Sequence, residues 1–361
     1  MHIGLIIYGS LDTMSGGYLY DRMLVNYLQR QGENVEIISL PQGSFLSHLA
    51  DNFHFRLPAQ LDILIEDELN HPSLLSANAQ PHPYPIVSLV HNLHSLEKRP
   101  AWQNTFYRVI ERKYLNSVDG FIFNSLTTRG AVIKIGGDRR TAPYSDKPFI
   151  VATPGGDRLG SLSVKEVRQR AMKSGPLRLL FLANVTPLKG LHVLLEALTH
   201  PYSDFQLDIV GSLEVDLDYA HEMQRYTTAH GLKDHVTFHG VLDGARLIEK
   251  IKQAHLLVIP SFYEGFGIAY LEGMAFGLPA IGTTAGAIPL LISDGENGYL
   301  IKPGDSKMLA NHIHELAANR VLLTQLSLAA LKRFQSQPTW EQSAKAIRNF
   351  LLQMLQGWKR R

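Results

Sequence analysis

The chain has 361 residues, 45% of them hydrophobic, and carries 35 Lys and Arg against 33 Asp and Glu. Its formal net charge of +2 argues against a nucleic-acid partner held by bulk charge. Because the chain has no cysteine, a disulfide framework, a thiolate nucleophile and a cysteine zinc site are excluded.

The N-terminal segment, MHIGLIIYGS, lacks the basic region and the long apolar run of a signal peptide. The uncharged stretch Gly273–Ser293 is interrupted by prolines and glycines, so we expect it to be core rather than a membrane span. We therefore expect a soluble, cytoplasmic protein. Peripheral attachment to the inner face of a membrane is left open.

Short apolar runs alternate with amphipathic stretches such as Tyr18–Arg30 and Ser306–Ala318. This alternation predicts βαβ units, and hence parallel, doubly wound α/β sheets. Six runs in each half predict two Rossmann-like domains, in agreement with the length. The predicted strands are Ile3–Tyr8, Val35–Leu40, Leu61–Ile65, Ile86–Val90, Gly120–Phe123 and Phe149–Ala152, then Leu177–Leu182, Phe205–Val210, Val236–His239, Leu256–Ile259, Ala280–Gly282 and Tyr299–Ile301.

A segment that opens and closes with Pro and Gly, Thr153–Pro176, separates the two sets of strands. We predict a first domain over residues 1–157 and a second over residues 158–339, with a C-terminal helix over residues 340–361 that packs back on the first. Ligands in open α/β sheets bind beyond the carboxyl ends of the strands. Two such domains facing each other would enclose a central cleft.

Two loops of the first domain carry candidate ligand contacts. Gly16 and Gly17 follow the first strand, where they form either a flexible turn or a close approach of the backbone to a ligand. His91 and His94, in HNLH, follow the fourth strand. Their spacing suits a metal, but no acidic partner is evident nearby, so a loop histidine bonded to the backbone is the simpler interpretation and we predict no metal.

A basic and aromatic stretch follows at Lys98–Lys113. Such a helix either lies on an anionic membrane or packs its aromatic side chains into the core and solvates its charges, and the second is favoured. Its basic residues are Lys98, Arg99, Arg108, Arg112 and Lys113, and its apolar ones include Trp102, Phe106, Tyr107 and Ile110.

The second domain contains two glutamates, Glu264 and Glu272, in the most apolar region of the chain. No other Asp, Glu, Lys or Arg occurs from Gln253 to Ser293. A helix over Gly267–Phe276 would be buried, and an ionised carboxylate at its middle needs a partner. The partner is either an internal salt bridge, with Glu264 as a helix cap, or the hydroxyls of a ligand.

Many ordered motifs resemble those of retaining GT-B glycosyltransferases, specifically glycosyltransferase family 4. The resemblance covers nearly the whole chain. SFYEGFGIAYLEGMAFG contains the E-x7-E motif of that family. The other motifs, in chain order, are SGGYLYDRMLVNYLQRQGENVEII, HNLH, TPGGD, LANVTPLKGLHVLLEAL, LDIVGS, VTFHGVLD and ENGYLIKPGD.

The resemblance implies roles in the second domain for the E-x7-E region. Glu264 would contact hydroxyls of the donor sugar and Glu272 the ribose of the nucleotide. The amides of Gly265, Phe266 and Gly267 would lie against the sugar and phosphates. A helix N-terminus is a favourable place for such an anion on physical grounds alone.

Three further positions take their roles from the same resemblance. Gly16 and Gly17 would let the first domain approach the donor pyrophosphate. Lys189, at a predicted helix start where a cation needs an anion beside it, would neutralise the diphosphate leaving group. His91 would lie beside the sugar near the reaction centre.

One position departs from the family pattern. The family has an arginine five residues before this lysine, and the chain has Asn184, which carries no charge. The departure weakens the predicted phosphate clamp and so affects either turnover or the choice of donor. Asp216 and Asp218 form the D-x-D pattern with which another glycosyltransferase class holds a metal, but here we predict only an acidic helix start.

The sequence thus predicts transfer of a sugar, with retention, from a nucleoside-diphosphate sugar to an acceptor hydroxyl, with no metal and no other cofactor. The acceptor is a glycan, a lipid-linked sugar or a small molecule, read by first-domain loops such as Gly43–Pro58 and His71–Pro85. Two alternatives share the fold: a sugar-nucleotide epimerase, and a catalytically silent binding or scaffold protein.

Overall fold

The computed structural model describes residues 1–96, 100–137, 143–200 and 204–360. The chain divides into two compact units, one made of residues 1–154 and 340–361 and the other of residues 155–339. The boundary between the two units therefore follows residue 154, whereas the sequence analysis placed it after residue 157.

The first unit is built on a six-stranded parallel sheet in the order β2-β1-β3-β4-β5-β6. Its central strands are buried on both faces, as expected when helices cover both sides of a parallel sheet. The strands are β1 His2–Tyr8, β2 Asn34–Leu40, β3 Ile63–Asp67, β4 Ile86–Val90, β5 Gly120–Phe123 and β6 Phe149–Val151. The helices are α1 Gly16–Arg30, α2 Phe45–Asp51, α3 His71–Leu74, α4 Ala101–Ser117 and α5 Leu126–Ile135.

The second unit repeats the plan with the strand order β12-β11-β10-β7-β8-β9, again parallel throughout. The prediction of two doubly wound α/β sheets is thereby confirmed. The strands are β7 Leu177–Leu182, β8 Phe205–Val210, β9 Val236–Gly240, β10 Leu256–Val258, β11 Ala280–Thr283 and β12 Gly298–Ile301. The helices are α6 Val164–Ala171, α7 Leu191–Leu198, α8 Leu217–Ala229, α9 Gly244–Gln253, α10 Ile268–Ala275, α11 Ser306–Ala318 and α12 Arg320–Gln335.

The last helix, α13 Trp340–Trp358, belongs to the first unit and lies against α1. The indole of Trp340 meets the ring of Tyr20 edge-on at 5.6 Å between centroids. Arg348 donates to the buried Glu33 carboxylate at 2.6 Å from its Nε. Apolar packing and one ion pair therefore attach the C-terminal helix to the N-terminal sheet.

Helix α4 confirms only half of the favoured interpretation of the basic stretch, because its described basic side chains are exposed as predicted but two of its aromatic ones are not buried. Trp102 and Phe106 are 72% and 43% exposed, so they do not pack into the core as predicted. The buried face of α4 is instead formed by Glu111, Tyr114 and Leu115. Of the predicted stretch, Lys98 and Arg99 lie outside the described residues. Within the described residues every helix is too short or too polar to span a bilayer.

Candidate active site

The loop between β10 and α10 carries Glu264 at the carboxyl end of the second sheet. Helix α10 begins after Gly267, whose φ of 97° is left-handed and favours glycine, and which makes no side-chain cap bond. Glu264 is therefore not the N-cap of this helix, and that alternative is wrong. Its backbone carbonyl instead accepts a hydrogen bond from the Ala287 amide at 2.9 Å, which ties the loop to the segment after β11.

Lys189 lies directly opposite Glu264. Its Nζ donates to Glu264 Oε1 at 2.6 Å, and the Ser261 hydroxyl donates to the same oxygen at 2.9 Å. No hydrogen bond from the described residues reaches Oε2. One carboxylate oxygen of Glu264 is thus held by an internal ion pair, and the other remains an acceptor for a ligand.

The backbone brings the two loops together at this point. The Phe262 amide donates to the Leu188 carbonyl at 2.8 Å. Gly190, which follows Lys189, has a left-handed φ of 71°, and a Cβ there would lie 2.2 Å from the Pro260 carbonyl oxygen. Only glycine fits so close an approach, and this approach places Lys189 within reach of a carboxylate 75 residues later in the sequence.

Glu272 lies in the middle of α10 and is 4% exposed. Its partner is Arg158, whose Nε and Nη2 donate to Glu272 Oε1 at 2.9 and 2.7 Å. Burial raises the pKa of the Glu272 carboxyl, and the Arg158 guanidinium opposes that rise. The prediction that this carboxylate needs a partner is confirmed, and the salt-bridge alternative holds for one of its oxygens. Oε2 accepts no hydrogen bond from the described residues.

The N-terminus of α10 lies in the same region as Glu264. Gly265, Phe266 and Gly267 lead into the helix, and the Phe266 ring is buried. At the other end of α10, the buried Arg170 donates to the carbonyls of Phe276 and Gly277 at 2.6 and 2.7 Å. The Arg170 cation is favourable at the C-terminal end of α10, where the helix dipole is negative. The backbone amides at the N-terminal end form the positive end of the dipole, which favours a bound anion there.

The side chain of Asn184 links the loop after β7 to a neighbouring loop. Its Oδ1 accepts a hydrogen bond from the Ser212 amide at 3.1 Å, joining this loop to the one after β8. An arginine has no acceptor for that amide. The D-x-D pattern is explained as predicted, because Asp216 is the N-cap of α8 and accepts from the Tyr219 amide at 3.1 Å.

In the first unit, Gly17 and His91 are neighbours. Gly16 begins α1, and the preceding Ser15 hydroxyl accepts from the Tyr18 amide at 3.3 Å. A Cβ on Gly17 would lie 3.3 Å from Cδ2 of the His91 ring. Gly17 therefore makes room for the imidazole, a packing role that the sequence did not suggest.

His91 has two acidic neighbours, which corrects the expectation that none was near. Its Nε2 lies 3.0 Å from Asp21 Oδ1, and side-chain atoms of Asp21, Asp67 and His91 all lie within 4.8 Å of one another. His94 does not join them, because its ring stacks on Tyr107 with centroids 6.0 Å apart. A second buried cluster with the same spacing consists of Glu68, His71 and Glu111.

Comparison with known proteins identifies the second unit. Residues 164–333, almost the whole of it, match the family described as Glycosyl transferases group 1. A phosphatidyl-myo-inositol mannosyltransferase from Mycobacterium leprae (strain TN) is 27% identical over 354 residues, 89% of each chain. The second unit is thus a glycosyl transferase group 1 domain, and the chain as a whole has the fold of GT-B glycosyltransferases. Other curated relatives, named D-inositol 3-phosphate glycosyltransferases, align with it over 37–41% of their own length.

Two solved structures share the fold of this glycosyltransferase over nearly its full length. Sucrose-phosphate synthase from Thermosynechococcus elongatus superposes with a TM-score of 0.82 at 20% identity, covering 99% of each chain. HepE from Anabaena, in complex with UDP-glucose, superposes with a TM-score of 0.75 at 19% identity, covering 98% of this chain and 100% of that one.

Four residues of this glycosyltransferase were missed at the sequence level. Arg158 is 114 residues from Glu272, and Asp21 is 70 residues from His91. No local sequence pattern could therefore predict either pair. Asp67 was missed because the predicted third strand ended at Ile65, whereas β3 runs on to Asp67. Ser261 was the one with a local signal, since it precedes Glu264 by three residues.

Proposed function

We propose that this glycosyltransferase moves a sugar from a nucleoside-diphosphate sugar to an acceptor hydroxyl, with retention of the anomeric configuration and without a metal. The observation that carries the proposal is the arrangement of Glu264 and Glu272. Each carboxylate has one oxygen held by a cation of the second unit, and each has a second oxygen that accepts nothing from the described residues. Hydroxyl groups of a sugar and a ribose are suitable donors to such oxygens.

Lys189 supplies the positive charge that the leaving diphosphate requires. In this proposal its ammonium moves from Glu264 to a phosphate oxygen when the donor binds, and it stabilises the charge that develops as the glycosidic bond breaks. The amides of Gly265, Phe266 and Gly267 add the N-terminal end of α10 as a second source of positive potential. These two sources take the place that a divalent cation holds in D-x-D enzymes, which is why no metal is expected.

The donor is expected to carry a nucleoside diphosphate, and the sugar is not specified by the residues described above. HepE, which shares the fold, is described in complex with UDP-glucose, so UDP-sugars are the first donors to test. Retention rests on the family resemblance, and metal independence rests on the charges just described. The test is to identify the product by mass and its anomeric configuration by NMR, with and without EDTA. An inverted product, or activity that EDTA abolishes, would contradict the proposal.

Substitution of Asn184 distinguishes the hypothesis of an active transferase from that of a protein that only binds nucleotide sugars. Replacing Asn184 with arginine places a guanidinium near the predicted phosphate position but removes the acceptor for the Ser212 amide. We expect kcat/KM to rise by about tenfold, because one more charge-assisted bond to phosphate is available, while unfolding free energy falls by about 1 kcal/mol.

The matched control is Asn184→Ala, which loses the same acceptor and adds no charge. It should show the loss of stability without a gain in rate. A wild-type protein that turns over donor at an ordinary rate, with no gain in the arginine variant, would mean that the loop geometry compensates for the missing cation and that Asn184 is not a defect. A protein that binds donor but never transfers or hydrolyses it would favour the silent binding protein.

We also propose that the exposed face of α4 meets an anionic membrane surface. Trp102, Phe106 and Val109 recur at helical spacing and are 72%, 43% and 63% exposed. The basic residues Arg108, Arg112 and Lys113 are exposed on the same helix, whose acidic residue, Glu111, is buried. Apolar side chains flanked by cations are the composition that binds anionic lipid, at about 1 kcal/mol for each basic residue.

This α4 face is tested by sedimentation with vesicles of phosphatidylcholine alone or mixed with phosphatidylglycerol. The wild type should sediment with the anionic vesicles and much less with the neutral ones. The double variant Trp102→Ser, Phe106→Ser should partition at least tenfold less. Val321→Ser on α12, which removes a side chain 60% exposed, is the control and should bind as wild type does. Equal sedimentation of the double variant, or no binding to anionic vesicles, would contradict the proposal.

A further inference from the structure

The imidazole of His91 lies between carboxylates from two other elements of the first sheet. His91 follows β4, Asp67 ends β3 and Asp21 lies on α1, the helix after β1. Since β1, β3 and β4 are adjacent parallel strands, their carboxyl ends meet at one edge. The three side chains are buried, and their polar atoms lie within 4.8 Å of one another.

The orientation of the His91 ring is fixed from several sides. Asp21 Oδ1 bonds to Nε2 at 3.0 Å, and the Tyr20 ring meets the imidazole edge-on with centroids 5.2 Å apart. The Asn124 side chain donates to the His91 carbonyl at 3.0 Å. With Nε2 bonded to Asp21, Nδ1 is the nitrogen left for a ligand, because the described residues make no hydrogen bond to it.

The carboxylates of this cluster favour a proton on His91. Asp21 is fully buried, and its Oδ2 has no hydrogen-bond partner among the described residues. An ionised carboxylate in that state is costly unless a cation lies beside it. Burial alone would lower the pKa of His91, but Asp21, and after it Asp67 and Glu68, outweigh burial and raise it to about 9.

The other titratable groups around the imidazole are consistent with this charge state. Burial and then the charge of Asp21 raise the pKa of the Asp67 carboxyl above its usual range. Burial and then Asp21 raise the pKa of the Tyr20 phenol, which stays neutral. The cluster at neutral pH therefore contains a His91 imidazolium hydrogen-bonded to the Asp21 side chain.

We propose that Asp21 is a positioning residue for catalysis, which holds His91 as an imidazolium and directs its Nδ1–H, as a hydrogen-bond donor, at an oxygen of the bound sugar. The inference rests on the proposed function, because the place of His91 beside the sugar comes from the family resemblance. A neutral imidazole with its proton on Nε2 would present an acceptor at Nδ1 instead. The difference between donor and acceptor is what Asp21 controls.

The first test is the pH dependence of kcat/KM in Asp21→Asn. In the wild type, activity should persist into alkaline pH and fall near pH 9, where His91 loses its proton. In Asp21→Asn the carboxamide no longer favours the cation, so the fall should move toward neutral pH. We expect at least a tenfold loss of kcat/KM at pH 8.5 and less than a threefold loss at pH 6. Asp21→Glu, which restores the charge, should recover part of the activity at pH 8.5.

The control is Glu33→Gln, which removes another buried carboxylate of the same unit, paired with Arg348. It should lower Tm and leave the alkaline fall unchanged. If Asp21→Asn lowers activity equally at pH 6 and pH 8.5, or leaves the alkaline fall in place, Asp21 is only structural and the inference is overturned.

A second readout needs no turnover. In protein labelled with 15N-histidine, and with His91→Gln to assign the signal, the His91 imidazole should titrate near pH 9 in the wild type and well below that in Asp21→Asn. Failure to find any transferase activity would overturn the proposed function and leave this titration to decide the inference. An unshifted titration would overturn the inference alone, as would a tightly bound divalent cation on these carboxylates whose removal by EDTA lowers activity.

Discussion

Replacing Lys189 with alanine is expected to lower kcat by about 10²–10³-fold, the largest loss of any single substitution in the second unit. In the proposed function Lys189 is the cation that faces the leaving diphosphate, and removal of one such donor costs about that much in other enzymes. The KM for the donor should rise less than kcat falls, because the charge on the leaving group grows as the bond breaks. Steady-state kinetics with saturating acceptor measure both.

The control for this variant is Lys250→Ala. Lys250 also forms an ion pair in the second unit, with Asp208 at 2.9 Å, and its side chain is 26% exposed against 25% for Lys189. It lies on α9 and forms no ion pair with either glutamate of the candidate site. If both variants lose activity to the same extent, the loss comes from a weakened fold, and Lys189 has no special part in the reaction.

Replacing Glu272 with glutamine is expected to weaken nucleotide binding by about 10–100-fold. A hydrogen bond to a charged group contributes about 1.5–3 kcal/mol, and the carboxamide offers one oxygen in place of two. Arg158 would still bond to that oxygen, so the ligand loses its acceptor. Isothermal titration with the nucleoside diphosphate that binds best measures the change.

The ribose contact can be separated from a general loss of structure by changing the ligand. The wild type should bind a 2′,3′-dideoxy analogue about 10–100-fold more weakly than the parent nucleotide, by the same hydrogen-bond energies. Glu272→Gln should show much less discrimination between the two ligands, since the missing hydroxyls and the missing carboxylate belong to one interaction. Asp208→Asn, the control, should discriminate as the wild type does. Full discrimination in Glu272→Gln would exclude a ribose contact.

Local patterns predicted the strands and the buried helix α10 well. Apolar runs bounded by turn residues are determined by neighbours in the sequence, and Gly267 and Gly277 mark the two ends of α10. The resemblance to a family directed attention to Lys189 and Glu264 separately. Their ion pair was not predicted, because it depends on how closely the loops after β7 and β10 approach each other.

The partners of the buried charges could not be predicted from the sequence. Arg158 comes from a short turn before the second sheet, and Asp21 from the second turn of α1, far along the chain from Glu272 and His91. The sequence required that a buried carboxylate have a partner but gave no means to choose it. The buried face of helix α4 could not be predicted for a related reason, because that face carries the charged residue Glu111 while the apolar Trp102 is exposed.

The most direct test of the central claim is thermal stabilisation of the protein by UDP, GDP and ADP and by their hexose conjugates, each with and without EDTA. The claim is that the second unit binds a nucleoside-diphosphate sugar through Lys189, Glu264 and Glu272 without a metal. It predicts a rise in Tm with one nucleotide class at millimolar ligand, unchanged by EDTA, retained in full in Lys250→Ala and reduced in Lys189→Ala and Glu272→Gln. A protein that no nucleotide or nucleotide sugar stabilises, or one stabilised equally in the Lys189 and Glu272 variants, would contradict it.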